Sequence, residues 1–144
     1  MAFTGNFVCT SFKVELLKGV HNFTNSTGNT FNIALYDNSA SFTAATTAYT
    51  ATNEVSGTAY VAKGNTLVNV TPTSTSTTAF TDFSDTTWSS STITARGAMI
   101  FNDTASGDPS VVILDFGSNK SSSSSDFTIV FPTDNATSAI IRIA

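Results

Sequence analysis

The sequence predicts an all-β domain, a β-sandwich or jelly-roll-like arrangement with one short N-terminal helix. Three observations carry that prediction. Ser and Thr make up about a third of the 144 residues and charged residues only 11%, a β-branched, hydroxyl-rich balance that favours strands and polar turns. Seven or eight short apolar runs are separated by turn signals, the pattern of a sandwich or barrel. Helical spacing occurs in a single stretch. The length suits one domain, residues 1–144, able to bury roughly 70% of the surface of the unfolded chain.

The chain is organised around Thr92 to Phe116, two apolar runs joined by a polar loop, which reads as a β-hairpin. Ile93, Ala95, Gly97, Met99 and Phe101 fall on one strand face and Thr92, Thr94, Arg96, Ala98 and Ile100 on the other, because side chains alternate with period two. Ser110 to Phe116 is apolar on both faces and is placed centrally in a sheet. Asn102, Asp103, Gly107, Asp108 and Pro109 supply the reversal, and Asn102, Asp103, Asp108 and Pro109 are the candidate contact surface.

Before the hairpin, residues 1–10 read as a short strand or as an arm reaching a neighbouring subunit. Phe12, Leu16, Val20 and Phe23 share one helical face. Thr10 or Ser11 is placed to cap that helix, and Gly19 to end it near Lys18. Phe31 to Asp37 alternates as a half-buried strand. Residues 38–54 read as a long excursion with one short strand or turn near Thr43 to Tyr49. Val55 to Val61 is a predicted strand, Lys63-Gly64-Asn65 a tight turn, and Leu67 to Thr71 the returning strand. Thr73 to Thr78 is a solvated loop. Phe80, Phe83 and Trp88 are read as caps on a core. After the hairpin, Gly117 to Ser125 is a flexible turn, Phe127 to Phe131 a strand stopped by Pro132, and Ala139 to Ala144 a last strand.

Charge and composition narrow the function classes. A net charge of −4 and a pI near 4.5 argue against a nucleic-acid grip, which needs a basic patch. No run of eighteen apolar residues suggests a membrane-spanning helix. The first ten residues lack the cationic start and apolar block of a secretory signal, so synthesis in a cytoplasm is expected. One cysteine, Cys9, leaves no disulfide framework or thiolate metal cluster within one chain, and no cofactor is expected.

Candidate chemistry is sparse. His21, the single histidine, would have to serve any Ser-His-Asp or Cys-His arrangement, yet no Gly-x-Ser-x-Gly elbow surrounds a serine. His21 reads instead as a helix-end residue and Cys9 as a small buried hydrophobe. Asp82 with Asp85, and Asp103 with Asp108, lack a calcium-loop ligand ladder and read as turn carboxylates. Asp115 is placed to pair with Arg142 or with Arg96, as a structural ion pair. An aromatic sugar platform would need Tyr36, Tyr49, Tyr60 or Trp88 at the surface. No catalytic residue is assigned.

Three blocks carry a resemblance: TFNIALYDNSASFTAATTAYTATNEVSGTAYVAKGN, TTWSSSTITARGAMIFND and VVILDFGSNKSSSSSDFTIVFPTDNATSAIIRIA. Together they resemble small virion structural proteins of tailed bacteriophages and prophages. The resemblance implies a structural role with no catalytic residues to transfer. It leads to the expectation of a capsid decoration (cement) protein, a homo-oligomer taken as a trimer, bound to the major capsid protein or other virion proteins. A tail, neck or fibre component and a virion glycan-binding module are the alternatives.

Overall fold

Strand takes 44% of the chain and helix 6% in a computed structural model that describes residues 3–144. The elements are β1 (Phe7–Val8), α1 (Thr10–Leu17), β2 (Phe31–Tyr36), β3 (Asn65–Thr66), β4 (Thr73–Thr75), β5 (Thr78–Thr81), β6 (Thr86–Asn102), β7 (Ser110–Ile129) and β8 (Ile141–Ile143). They form two antiparallel sheets, ordered β1-β7-β6-β2-β3 and β4-β5-β8. The all-β, sandwich-like architecture is the predicted one.

The predicted hairpin is its centre, and it is longer than expected. β6 buries alternate residues from Ser91 to Ala95 and then both faces from Gly97 to Asn102. At this end β2 pairs along the edge of the strand, and Phe3 sits directly over the face at Gly97, where an added Cβ would lie 2.3 Å from the Phe3 ring. The Gly117 to Ser125 segment, expected as a loop, is instead strand, paired with β6 through Lys120, Ser121, Ser122 and Ser125. Its serines replace apolar contacts with hydroxyl pairs: Ser91 with Ser122 at 2.7 Å and Thr94 with Ser121 at 2.9 Å. Such cross-strand hydroxyl pairs stabilise a ladder that no hydrophobic period announces. Residues 116–119 of β7 stand opposite the single residue Arg96, a wide bulge that begins at Gly117 with φ +76°.

The N-terminal segment belongs to this sheet. Phe7 and Val8 pair with Ile113 and Val112, and Phe3 is 1% exposed; burying one Phe side chain supplies about 1.5–3 kcal/mol. The described residues 3–10 are therefore bound to their own chain rather than extended as an arm, and the first two residues lie outside the described part. α1 starts at Thr10, with Cys9 in the capping position and no side-chain cap. The amide of Thr10 donates to the Ala44 carbonyl instead, at 2.8 Å. At its end Val20 N–H donates to Glu15 O and Gly19 N–H to Leu16 O, with Gly19 at φ +72°, a Schellman closure that stops the helix where glycine was expected to stop it.

β2 is the predicted strand, but it is fully buried between β6 and β3 rather than half-buried. Other segments differ. Val55 to Val61 is irregular because Ala59 takes φ +65° and only Thr58 bridges to β6. The predicted Leu67 to Thr71 strand is reduced to an Asn69–Phe83 bridge, and the short β3 precedes it at Asn65–Thr66. Thr73 to Thr78, expected as a solvated loop, contributes β4 and the turn into β5, reversing at Ser76 with φ +54°. The core joins both sheets: Phe23 stacks on Phe31 at 4.3 Å, Phe83 meets both rings and Phe131, and Ile141 of β8 packs in the same cluster.

Candidate functional site

The loop between β6 and β7 was the expected contact surface, and half of its candidates are interior. Asn102 is 0% exposed. Its Nδ2 donates to His21 Nδ1 and to Asn29 Oδ1, both at 3.1 Å, and its Oδ1 accepts from the amides of Thr104 and Ala105. Pro109 is also buried, and its carbonyl accepts from Asn102 N–H at 3.0 Å. Asp103 and Asp108 remain half-exposed, but both grip Lys63 Nζ, at 2.7 and 2.8 Å. These bonds hold the Lys63 amine above the ordinary lysine range, and the ammonium lies over the rings of Tyr49 and Phe101. The correction is that Asn102 and Pro109 brace the loop, leaving Thr104, Ser106 and Gly107 as its outer residues.

His21 is enclosed as well. Its side chain is fully buried, Nε2 meets Glu15 Oε2 at 2.9 Å, and the ring packs on Phe12 at 4.9 Å. An amide nitrogen can only donate, so Nδ1 accepts from Asn102 and Nε2 carries the proton toward Glu15. Both ring nitrogens are thereby occupied by structural partners. Cys9 is buried, and burial pushes its thiol up from the ordinary value. Asp82 is buried and accepts from Phe83 N–H and Ile140 N–H; burial raises its carboxyl above the usual range. Asp85 accepts from Phe131 N–H at 2.8 Å. These carboxylates tie loops to strands, as turn carboxylates do.

Of the two partners expected for Asp115, the structure selects Arg96. Arg96 faces the β7 bulge, and Asp115, the residue before that bulge, is registered with the neighbouring Gly97. Asp115 also accepts from Gly117 N–H at 2.8 Å and Gly5 N–H at 3.0 Å. The Gly117 bond first, and Arg96 with it, holds its carboxyl below the ordinary carboxylate range. Arg142 is corrected to a different place: it lies on β8 in the other sheet and donates to the Thr137 carbonyl. The aromatic platform does not form. Trp88 is 3% exposed and stacks on Tyr60, while Tyr36 is buried with its hydroxyl donating to Thr50 O.

Of the surface depressions, three bear on docking. A groove of about 600 Å³ follows β7 from Leu114 and runs past its end to Pro132, lined by Asp115, Lys120 and Asp126 with Ser121, Thr128 and apolar side chains, among them the exposed Val130. Its charges are of both signs, which suits water. The second, of about 330 Å³, lies between α1 and β8 and is lined by Val8, Phe12, Lys13, Leu16, Leu17, Ile141, Arg142 and Ile143. A smaller, almost wholly apolar hollow shares Leu16, Ile141 and Ile143 with it and continues past Phe80. Leu17 is 91% exposed, with Val14 and Ile143 about half exposed. This α1/β8 face was missed in the sequence, although Leu17 beside Leu16 lies off the predicted apolar stripe and was the available signal. Contiguous exposed apolar surface rimmed by polar groups marks interaction sites.

No protein-family description, curated protein or solved structure matches the chain.

Proposed function

We propose that the chain is a virion structural protein of a tailed bacteriophage, a capsid decoration protein that docks its α1/β8 face on the major capsid lattice. The observation that carries the reading is the exposure of Leu17 and Ile143 together in the lining of one trough. Large aliphatic side chains left in water at one place are best accounted for by a partner that covers them. The resemblance of the three sequence blocks supports the virion setting. The hydroxyl-rich, weakly charged surface supports docking over wet, hydrogen-bonded areas.

Decoration would act by mass action, since a protein that binds only the assembled lattice stabilises it by linkage, by about 2.7 kcal/mol at a hundredfold excess over Kd. Added protein is therefore expected to raise the melting temperature of bare capsids. Leu17→Ser should abolish that rise while changing the stability of the isolated chain by no more than about 0.5 kcal/mol, as for other surface substitutions. A full rise with Leu17→Ser would remove this face from the reading, and no rise with the native chain at saturation would remove decoration itself. A tail or neck role is the second reading; copy number per particle in electron cryo-microscopy separates hundreds from about a dozen. The burial of Trp88 and Tyr36 takes away the feature that favoured a glycan-binding module.

A further inference from the structure

The same face has three properties that together specify the chemistry of what it binds. First, among the described residues β8 is the outer strand of its sheet, bonded to β5 on one side and to no strand on the other. Second, the trough is lined by three successive β8 residues, Ile141, Arg142 and Ile143. Successive strand residues point to opposite faces, so what borders the trough is the edge of the strand, with its peptide groups, rather than one of its faces. Third, the charged side chains in the lining are Lys13 and Arg142, two cations and no carboxylate. In a chain with ten acidic and six basic residues, that local sign is opposite to the whole.

We infer that the trough takes an extended segment of a partner protein, added as an antiparallel or parallel strand on β8, with apolar side chains against Leu16 and Leu17 and carboxylates beside Lys13 and Arg142. Strand addition obtains affinity from main-chain hydrogen bonds and specificity from alternate side chains. The apolar hollow reaching Phe80 receives one alternate set of side chains, and the cations meet the other. Complementary charge suppresses wrong partners and speeds encounter, so a basic segment is rejected here. The inference rests on the docking reading above and adds to it the partner's class: an acidic, apolar strand.

A synthetic eight-residue peptide of alternating valine and aspartate, with its valine-lysine counterpart, tests this on the isolated chain. In a titration followed by amide NMR, the aspartate peptide should shift Leu16, Leu17 and Ile141 to Ile143, and the lysine peptide should bind at least tenfold more weakly. Lys13→Glu and Leu17→Ser, both at exposed positions, should each weaken the aspartate peptide about tenfold with the fold intact. Equal binding of the two peptides, shifts centred elsewhere or no binding would overturn the inference. So would self-association of the native chain that Leu17→Ser abolishes, since the occupant would then be a second copy. Capsid stabilisation that survives Lys13→Glu beside a failed peptide titration would sink the strand-addition inference and leave the virion reading standing. Peptide binding without capsid stabilisation would do the reverse.

Discussion

Gly64→Ala should be among the most destabilising single substitutions in the chain. Gly64 sits at φ +65°, and a Cβ there would lie 1.9 Å from the Ile33 carbonyl oxygen and 3.0 Å from Ala34 Cα. Neither obstacle is a side chain that can swing away: both belong to the backbone of β2, buried between β3 and β6. A left-handed alanine costs about 1–2 kcal/mol by itself. Displacing β2 must add to that, and a total of about 4–5 kcal/mol is expected, at the upper end of single substitutions. Gly107→Ala is the matched control, with φ +84° and nothing within 4 Å of its added Cβ. It should cost only about 1 kcal/mol, the conformational part alone. Urea denaturation of the two variants separates the contributions; equal losses would mean that the close approach to Ile33 contributes nothing.

Glu54→Ala should cost about 3 kcal/mol. One carboxylate oxygen accepts from Tyr60 O–H and Lys63 N–H, both at 2.7 Å, and the other from Tyr49 O–H at 2.6 Å. Truncation leaves three donors without their acceptor in a partly buried place, and stranded donors cost more than the bonds themselves supplied. Glu54→Gln keeps one acceptor oxygen and should lose about half as much. An equal loss in both variants would show that geometry at this position, rather than acceptor count, governs the effect.

The same cluster sets the response to alkali. All three tyrosines of the chain have phenols raised by burial and then by Glu54: Tyr49 to about 12, Tyr36 and Tyr60 further. A raised folded-state pKa means that the native chain holds the proton more tightly than the unfolded chain. The stabilisation is fully present below the unfolded value near pH 10 and is lost as pH rises from there through 12. The slope approaches about 1.4 kcal/mol per pH unit for each phenol still protonated in the native state. Phenolate absorbance is expected to stay flat through pH 10 and then to rise together with loss of tertiary circular dichroism. A tyrosine titrating freely near pH 10 in the folded chain would contradict the arrangement.

What could be read from the sequence follows how each segment is stabilised. β2 and the β6–β7 core were legible because their burial comes from runs of apolar side chains bounded by turn residues. The far half of β7 was not, since Ser121 and Ser122 are held by hydroxyls across the sheet, and bulges at Ser90 and Ser124, both with positive φ, break the period of two. Val55 to Val61 misled in the opposite sense, because its apolar letters serve a loop that inserts Tyr60 toward the core. Asn102 carries the composition of a turn and does the work of an interior bolt, a role visible only once His21 and Asn29 are brought beside it. Arg96 and Arg142 were equal partners for Asp115 on paper. The β7 bulge decided between them.

The order of strands in the larger sheet also sets a timetable. β2 can meet the two-residue β3 once residues 65 and 66 are made, but it must wait for residues 97 to 102 to gain β6, and β1 must wait for residues 112 and 113. At about 5–20 residues per second, the stretch from Tyr36 to Asn102 takes roughly 3–13 seconds on the ribosome, and pairings so distant in sequence are slow to form even afterwards. Throughout that interval the uncharged, proline-free run Phe31–Tyr36, six residues of the composition that stacks between chains, lacks its longer partner β6. A strand fully buried in the finished sheet is thus the segment most exposed to aggregation during synthesis, and yield at high expression should be governed by that interval more than by the stability of the native state.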